Sequence, residues 1–191
     1  RYHDQVLFSK TLSLQKCKEI RDLLRKTNVE GVLEGKDGVY FDNSIRHPFL
    51  QNIKENYQAV PTFKVSTFDD ENLSFDKFAI WFDQNSDIET FKKEISEEFQ
   101  YITRDHDFGE IVPKGCSKAT GIEFLLDYFN LELEDAYVFG DSFNDLAMLE
   151  YVKYAIVMGN GNPELFDLAY LVTKNIDDDG IYYALKKLEL I

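Results

Sequence analysis

The chain has 191 residues, 44% of them hydrophobic, and a formal net charge of −14. That is enough for one large domain or two small ones with a packed core, and it excludes a disordered chain. A nucleic-acid backbone or an anionic membrane would repel such a surface, so neither is expected as a partner. A small phosphorylated metabolite stays compatible, because a bound divalent cation and one or two lysines reverse the local field.

Cys17 and Cys116 lie far apart and form no CxxC pair. This argues against a disulfide framework or a zinc site and for a reducing, cytoplasmic setting. No apolar run approaches a membrane span, and no signal peptide is recognisable. The chain opens on Arg1 rather than Met, as a sequence taken from inside a longer polypeptide would.

In chain order, residues 5–9 read as a short strand. A helix follows, with Ser13 as N-cap and Leu14, Cys17, Ile20 and Leu24 at helical spacing. Residues 29–33 and 39–41 read as strands around a Gly35-Lys36-Asp37-Gly38 hairpin turn. Residues 48–57 read as helix, 77–82 as a strand and 87–99 as an acidic amphipathic helix. Residues 101–104 and 108–112 then read as strands. This mixture of hairpins and helices predicts an α+β domain over 1–110.

After Pro113 the pattern changes. Ser117 caps a helix to Phe129, with Ile122, Leu125, Leu126 and Phe129 on one side. Short apolar strands at 136–139, 154–158 and 170–173 alternate with helices at 145–151, after Pro163, and from Gly180 onward. Such alternation predicts an α/β domain with a parallel sheet over 111–191.

The chemistry concentrates in Val138-Phe-Gly-Asp-Ser-Phe-Asn-Asp-Leu-Ala-Met-Leu149. In a parallel sheet, ligands bind beyond the carboxyl ends of the strands. Asp141 sits just past such an end, released by Gly140, and Asn144 and Asp145 follow within one turn. Hard oxygen donors with room for waters and a substrate phosphate are what magnesium requires. For a bare Gly-Asp, capping of the next helix explains Asp141 and Asp145 about as well as metal binding.

The longer string, Gly-Asp-x-x-Asn-Asp-x-x-Met-Leu, resembles the fourth motif of haloacid dehalogenase superfamily phosphatases, in the subgroup called Cof-type. Glu110-Ile-Val-Pro-Lys-Gly-Cys-Ser-Lys118 resembles the segment where such chains return from the cap to the Rossmann-like core. The resemblance implies a cap over 1–110 that selects the substrate and half of the core over 111–191. It assigns Lys118 to the catalytic machinery, contacting phosphate and nucleophile, Asn144 to phosphate binding, and Asp141 and Asp145 to Mg2+. A cation in the first turn is unfavourable for helix stability alone, which suits a functional Lys118. Lys114 reads as solvent-facing. In the tail, Ala155-Ile-Val-Met-Gly-Asn160 and Asp178-Asp-Gly-Ile181 also resemble the family. They read as a core strand with its turn, and as a helix capped by Asp179. The family usually has Ala where this chain has Gly161.

The Asp-x-Asp-Gly-Thr string expected of the nucleophile is absent; Asp105-His-Asp107 has the spacing but no Gly-Thr after it. The resemblance therefore implies a fragment whose nucleophile lies upstream, in a core half of roughly 80 residues. Alone, it is expected to leave strand 136–139 with an unpaired edge and to be poorly folded or inactive. The full protein is expected to hydrolyse small phosphorylated metabolites (sugar phosphates, nucleotides or cofactor precursors) through a phospho-aspartate. A sugar phosphomutase and a non-catalytic binding module are the alternatives. His3, His47 and His106 read as isolated, Asp69-Asp70-Glu71 as a solvated loop and Trp81 as core. Oligomeric state and substrate are not legible.

Overall fold

The computed structural model describes residues 2–36 and 38–191. They form two compact units, 1–114 and 115–191.

In the first unit, α1 (Leu14–Thr27) starts where the Ser13 hydroxyl accepts the Lys16 N–H at 3.2 Å. It stops at Asn28, whose left-handed backbone closes the last turn. Its buried residues, Cys17, Ile20, Leu24 and Thr27, make one stripe. β1 (Glu30–Gly35) and β2 (Gly38–Phe41) pair antiparallel, with Val32 opposite Phe41. The expected turn between them includes Asp37, which lies outside the described residues. α2 (Pro48–Gln58) begins on Pro48, whose missing N–H costs nothing in a first turn. β3 (Lys64–Thr67) runs parallel to β2 at the sheet edge. Its partly exposed Lys-Val-Ser-Thr carries too little alternation to be read from sequence.

β4 (Lys77–Trp81) is followed by α3 (Ile88–Ile95), β5 (Phe99–Asp105) and β6 (Phe108–Pro113). The helix expected to reach Phe99 stops at Ile95, because Phe99 opens β5 and pairs with Pro113. Residues 5–9 form no strand. Only a Tyr2–Gln5 bridge is present, and Val6 and Phe8 stay exposed rather than packing on a sheet. The six strands lie in the order β3-β2-β1-β4-β6-β5, antiparallel apart from β2–β3.

Alternation along β4 splits the core in two. Phe78 and Ile80 point to one side, with Cys17, Ile20 and Leu24 of α1 and Phe91 of α3. Ala79 and Trp81 point to the other, with Val32, Phe41 and Leu50 of α2. The Asp69–Asp70 pair is not merely solvated: Asp69 accepts from Arg25 at 2.9 Å, and Asp70 from Ser66 at 2.6 Å.

In the second unit, α4 (Lys118–Phe129) precedes β7 (Tyr137–Gly140), α5 (Leu146–Tyr151), β8 (Tyr154–Val157), β9 (Leu171–Val172) and α6 (Gly180–Lys187). The strands are parallel in the order β7-β8-β9, and β7 pairs on one side only. The core gathers Val138, Met148, Leu149, Val152, Ala155, Val157 and Leu165. α4 buries none of its residues, and Leu125 and Phe129 of its apolar stripe are exposed.

The helix expected after Pro163 is present as a 3-10 segment (Pro163–Leu168). One local expectation fails. Asp179 makes no side-chain cap bond, because its backbone is left-handed (φ 54°) rather than in the extended conformation that aims a capping carboxylate. Among the described residues no helix is long and apolar enough to cross a membrane.

Candidate active site

The site grows from the end of β7. β8 continues past Val157 so that the Met158 N–H donates to the Gly140 carbonyl at 2.9 Å. The chain then turns through a 3-10 segment (Phe143–Asp145) into α5. Gly140 is required by what packs on it: a Cβ there would lie 2.8 Å from the Asp145 Cβ and 3.1 Å from Leu149 Cδ1. Without that Cβ, Asp145 folds back over the strand end and is only 3% exposed.

The Asp145 carboxylate is fully engaged. Oδ2 accepts the Asp141 N–H at 2.9 Å and the Ser142 N–H at 3.3 Å. Oδ1 receives the Lys118 ammonium, which stands on the first turn of α4 and is about half exposed. Burial pushes the Asp145 carboxyl up, but Lys118 and the two backbone N–H groups outweigh it and hold the group below the usual carboxylate range. Asp145 makes no side-chain cap bond to α5; it closes the 3-10 turn before that helix instead, in a capping box with Ser142.

The Asp141 backbone is held from two sides. Its N–H goes to Asp145, and its carbonyl accepts the Asn162 N–H at 2.8 Å. A Cβ at Gly161 would sit 3.0 Å from the Asp141 Cα, which gives a steric reason for glycine where the resemblance leads one to expect alanine. The Asp141 carboxylate itself stays exposed and takes no hydrogen bond from any described residue. Asn144 is half-buried, and its Oδ1 accepts the Ser142 hydroxyl at 2.5 Å.

Lys118, Asp141, Asn144 and Asp145 therefore converge on one turn. Asp141 and Asn144 offer hard oxygen donors of the kind Mg2+ takes. The Asp145 oxygens are already shared with a cation and two N–H groups, whereas the Asp141 carboxylate accepts from no described residue. The loop partners Gly161 and Asn162 carried no spacing signal, and Ser142 was hidden inside the motif. Lys114 is exposed. The histidines are not all isolated: His47 and His106 both approach Asp107.

Gly140→Ala is expected to cost about 1–3 kcal/mol by overpacking. It should also displace Asp145, so that urea midpoint and activity fall together; an unchanged midpoint would show that the turn has slack.

The model of the family described as haloacid dehalogenase-like hydrolase matches residues 1–185. YkrA of Bacillus subtilis is 46% identical over 82 residues, 43% of this chain and 32% of YkrA, so the matched stretch spans about a third of that relative. The 5-amino-6-(5-phospho-D-ribitylamino)uracil phosphatase YitU of Bacillus subtilis is 28% identical over 195 aligned residues, 98% of this chain and 68% of YitU. The solved structure of BT1666 from Bacteroides thetaiotaomicron, described among phosphatases of the HAD superfamily, superposes with a TM-score of 0.76 at 25% identity, over 98% of this chain and 69% of that one. With its family match running almost end to end, this chain belongs to the haloacid dehalogenase-like hydrolases.

Proposed function

We propose that the protein is a magnesium-dependent phosphatase of small phosphorylated metabolites, to which residues 115–191 contribute half of the catalytic core. The observation that carries this reading is the Lys118–Asp145–Asp141 chain. A buried carboxylate steadies a lysine with one oxygen and the backbone of a second, exposed aspartate with the other. Asp141 would hold the ion, with Asp145 as the neighbouring negative charge. When bound, magnesium supplies charge neutralisation on the phosphate oxygens. Lys118 stabilises the anionic phosphate and the attacking carboxylate, held in place by Asp145. Asn144 donates to the phosphate.

The nucleophile of a phospho-aspartate mechanism is then carried by polypeptide outside these 191 residues. The open side of β7 and the exposed stripe of α4 support this, since a parallel sheet is normally covered on both faces and paired at its centre. Residues 1–114 are proposed as the substrate-selecting cap. YitU, named for a phosphorylated ribitylaminouracil, directs attention to sugar-like and cofactor-precursor phosphates.

The test is inorganic phosphate release by the full polypeptide, with Mg2+, across sugar phosphates, nucleotides and ribityl phosphates. Release from at least one substrate, abolished by chelation, is expected. Rearranged sugar phosphate without free phosphate would indicate a phosphomutase. Tight binding with no turnover would indicate a binding module.

A further inference from the structure

The turn that carries Asp141 contains one side-chain bond to which the chemistry above gives no role. The Ser142 hydroxyl donates to Asn144 Oδ1 at 2.5 Å. Ser142 stands at the entry of the Phe143–Asp145 turn, and Asn144 lies inside it. The donor is held in place by the fold. The Ser142 N–H donates to Asp145 Oδ2 at 3.3 Å, and the Ser142 carbonyl accepts the Asp145 N–H at 2.8 Å. Asp145 is in turn fixed by Lys118. Ser142 and Asn144 are both half-buried, so water competes for the bond less freely than at an open surface.

A carboxamide has two ends of opposite character. Its oxygen accepts hydrogen bonds or ligates a metal, and its nitrogen donates to anions. The torsion that exchanges them is broad and roughly two-fold, so an unsupported Asn144 would present either end. The Ser142 hydroxyl breaks that symmetry by engaging Oδ1. Among the described residues Nδ2 donates to no partner. The end left free is therefore the donor end, and a phosphate oxygen is an acceptor that suits it.

We infer that Ser142 is a positioning residue, which locks the Asn144 carboxamide so that Nδ2 rather than Oδ1 is offered to the substrate phosphate. The assignment rests on the phosphatase reading above and adds to it a residue that acts through Asn144. The hydroxyl removes a rotation that binding would otherwise have to freeze. Its loss weakens the hold on phosphate in the ground state and the transition state alike, so KM should move and kcat should not. The Ser142 backbone is extended (φ −143°, ψ 169°), a conformation that β-branched residues adopt readily, so threonine can carry the same hydroxyl.

The test uses the full polypeptide with Mg2+ and combines steady-state phosphate release with calorimetric titration of inorganic phosphate. Ser142→Ala should raise KM and the phosphate dissociation constant about three- to tenfold, with kcat and half-activating Mg2+ within about twofold of wild type. Its urea midpoint should stay at the wild-type value, because both backbone bonds of Ser142 survive the substitution. Ser142→Thr should restore the affinity. Asn144→Asp keeps an oxygen for the hydroxyl but has no N–H, so it should lose more phosphate affinity than Ser142→Ala. In an Asn144→Ala background, Ser142→Ala should add no further loss, since the hydroxyl acts only through the amide. Unchanged phosphate affinity in Ser142→Ala overturns the assignment, as do losses that multiply in the double variant or affinity retained by Asn144→Asp. A wild type that binds phosphate but releases none from any substrate sinks the phosphatase reading, and the calorimetric comparison alone then decides the role of Ser142. A wild type with neither phosphate binding nor turnover overturns both.

Discussion

Asp141→Asn is expected to lower magnesium-supported phosphate release at least about a hundredfold and to raise the magnesium concentration needed for half-activity, with almost no effect on folding. The asymmetry follows from the local geometry. The Asp141 carboxylate is exposed and takes no hydrogen bond from a described residue, so an isosteric amide breaks nothing in the fold, and the change in stability should stay within about 0.5 kcal/mol. The backbone that positions it is held by Asp145 and Asn162, and neither bond involves the substituted side chain. What the amide lacks is the negative charge that a magnesium site requires. Steady-state rates across a magnesium titration, beside a urea melt, check both halves. Unchanged rate and unchanged half-activating magnesium would remove Asp141 from the site.

The second large effect separates two members of one ion pair. Asp145→Ala should destabilise the protein by about 3 kcal/mol, because the Asp141 and Ser142 N–H groups lose their acceptor in a part-buried turn and Lys118 loses its partner. Lys118→Ala should cost only about 1 kcal/mol, since the ammonium is half exposed and Asp145 keeps its two backbone donors. Both should lower turnover by about a hundredfold or more, through the misplaced turn in one case and the lost phosphate partner in the other. Urea midpoints set against kcat distinguish a residue that builds the turn from one that acts at the phosphate. Equal midpoints for the two variants would refute the assignment.

Acid extends the same argument. Asp145 is held below the usual carboxylate range in the folded state, so its contribution to stability is present above the unfolded value of about 3.9 and is lost as pH falls through the folded value. Lys118→Ala removes one of the groups that hold it down. Acid loss of stability in that variant should begin at higher pH than in the wild type.

Some of this could be read along the chain. Helical spacing with a Ser cap located α1 and α4, and the apolar runs located β4, β7 and β8, because both signals are local and repeat with the period of the element. The Gly-Asp-x-x-Asn-Asp string placed Asp141, Asn144 and Asp145 on one turn because they are neighbours in sequence. Where a partner strand decides, local reading failed. β3 exists because β2 offers it a parallel edge, α3 stops short because Phe99 is claimed by β6, and residues 5–9 find no sheet to join.

Thus length, charge, two-domain grammar and the composition of the oxygen-rich turn were set by the order of residues alone. Which oxygen of Asp145 faces Lys118, why position 161 is glycine, and the meeting of His47 with His106 at Asp107 were decided only when distant segments packed together. Hydrogen bonds, steric clearance and ligand geometry act over a few ångströms in space, and separation along the chain says nothing about that distance until the fold is formed.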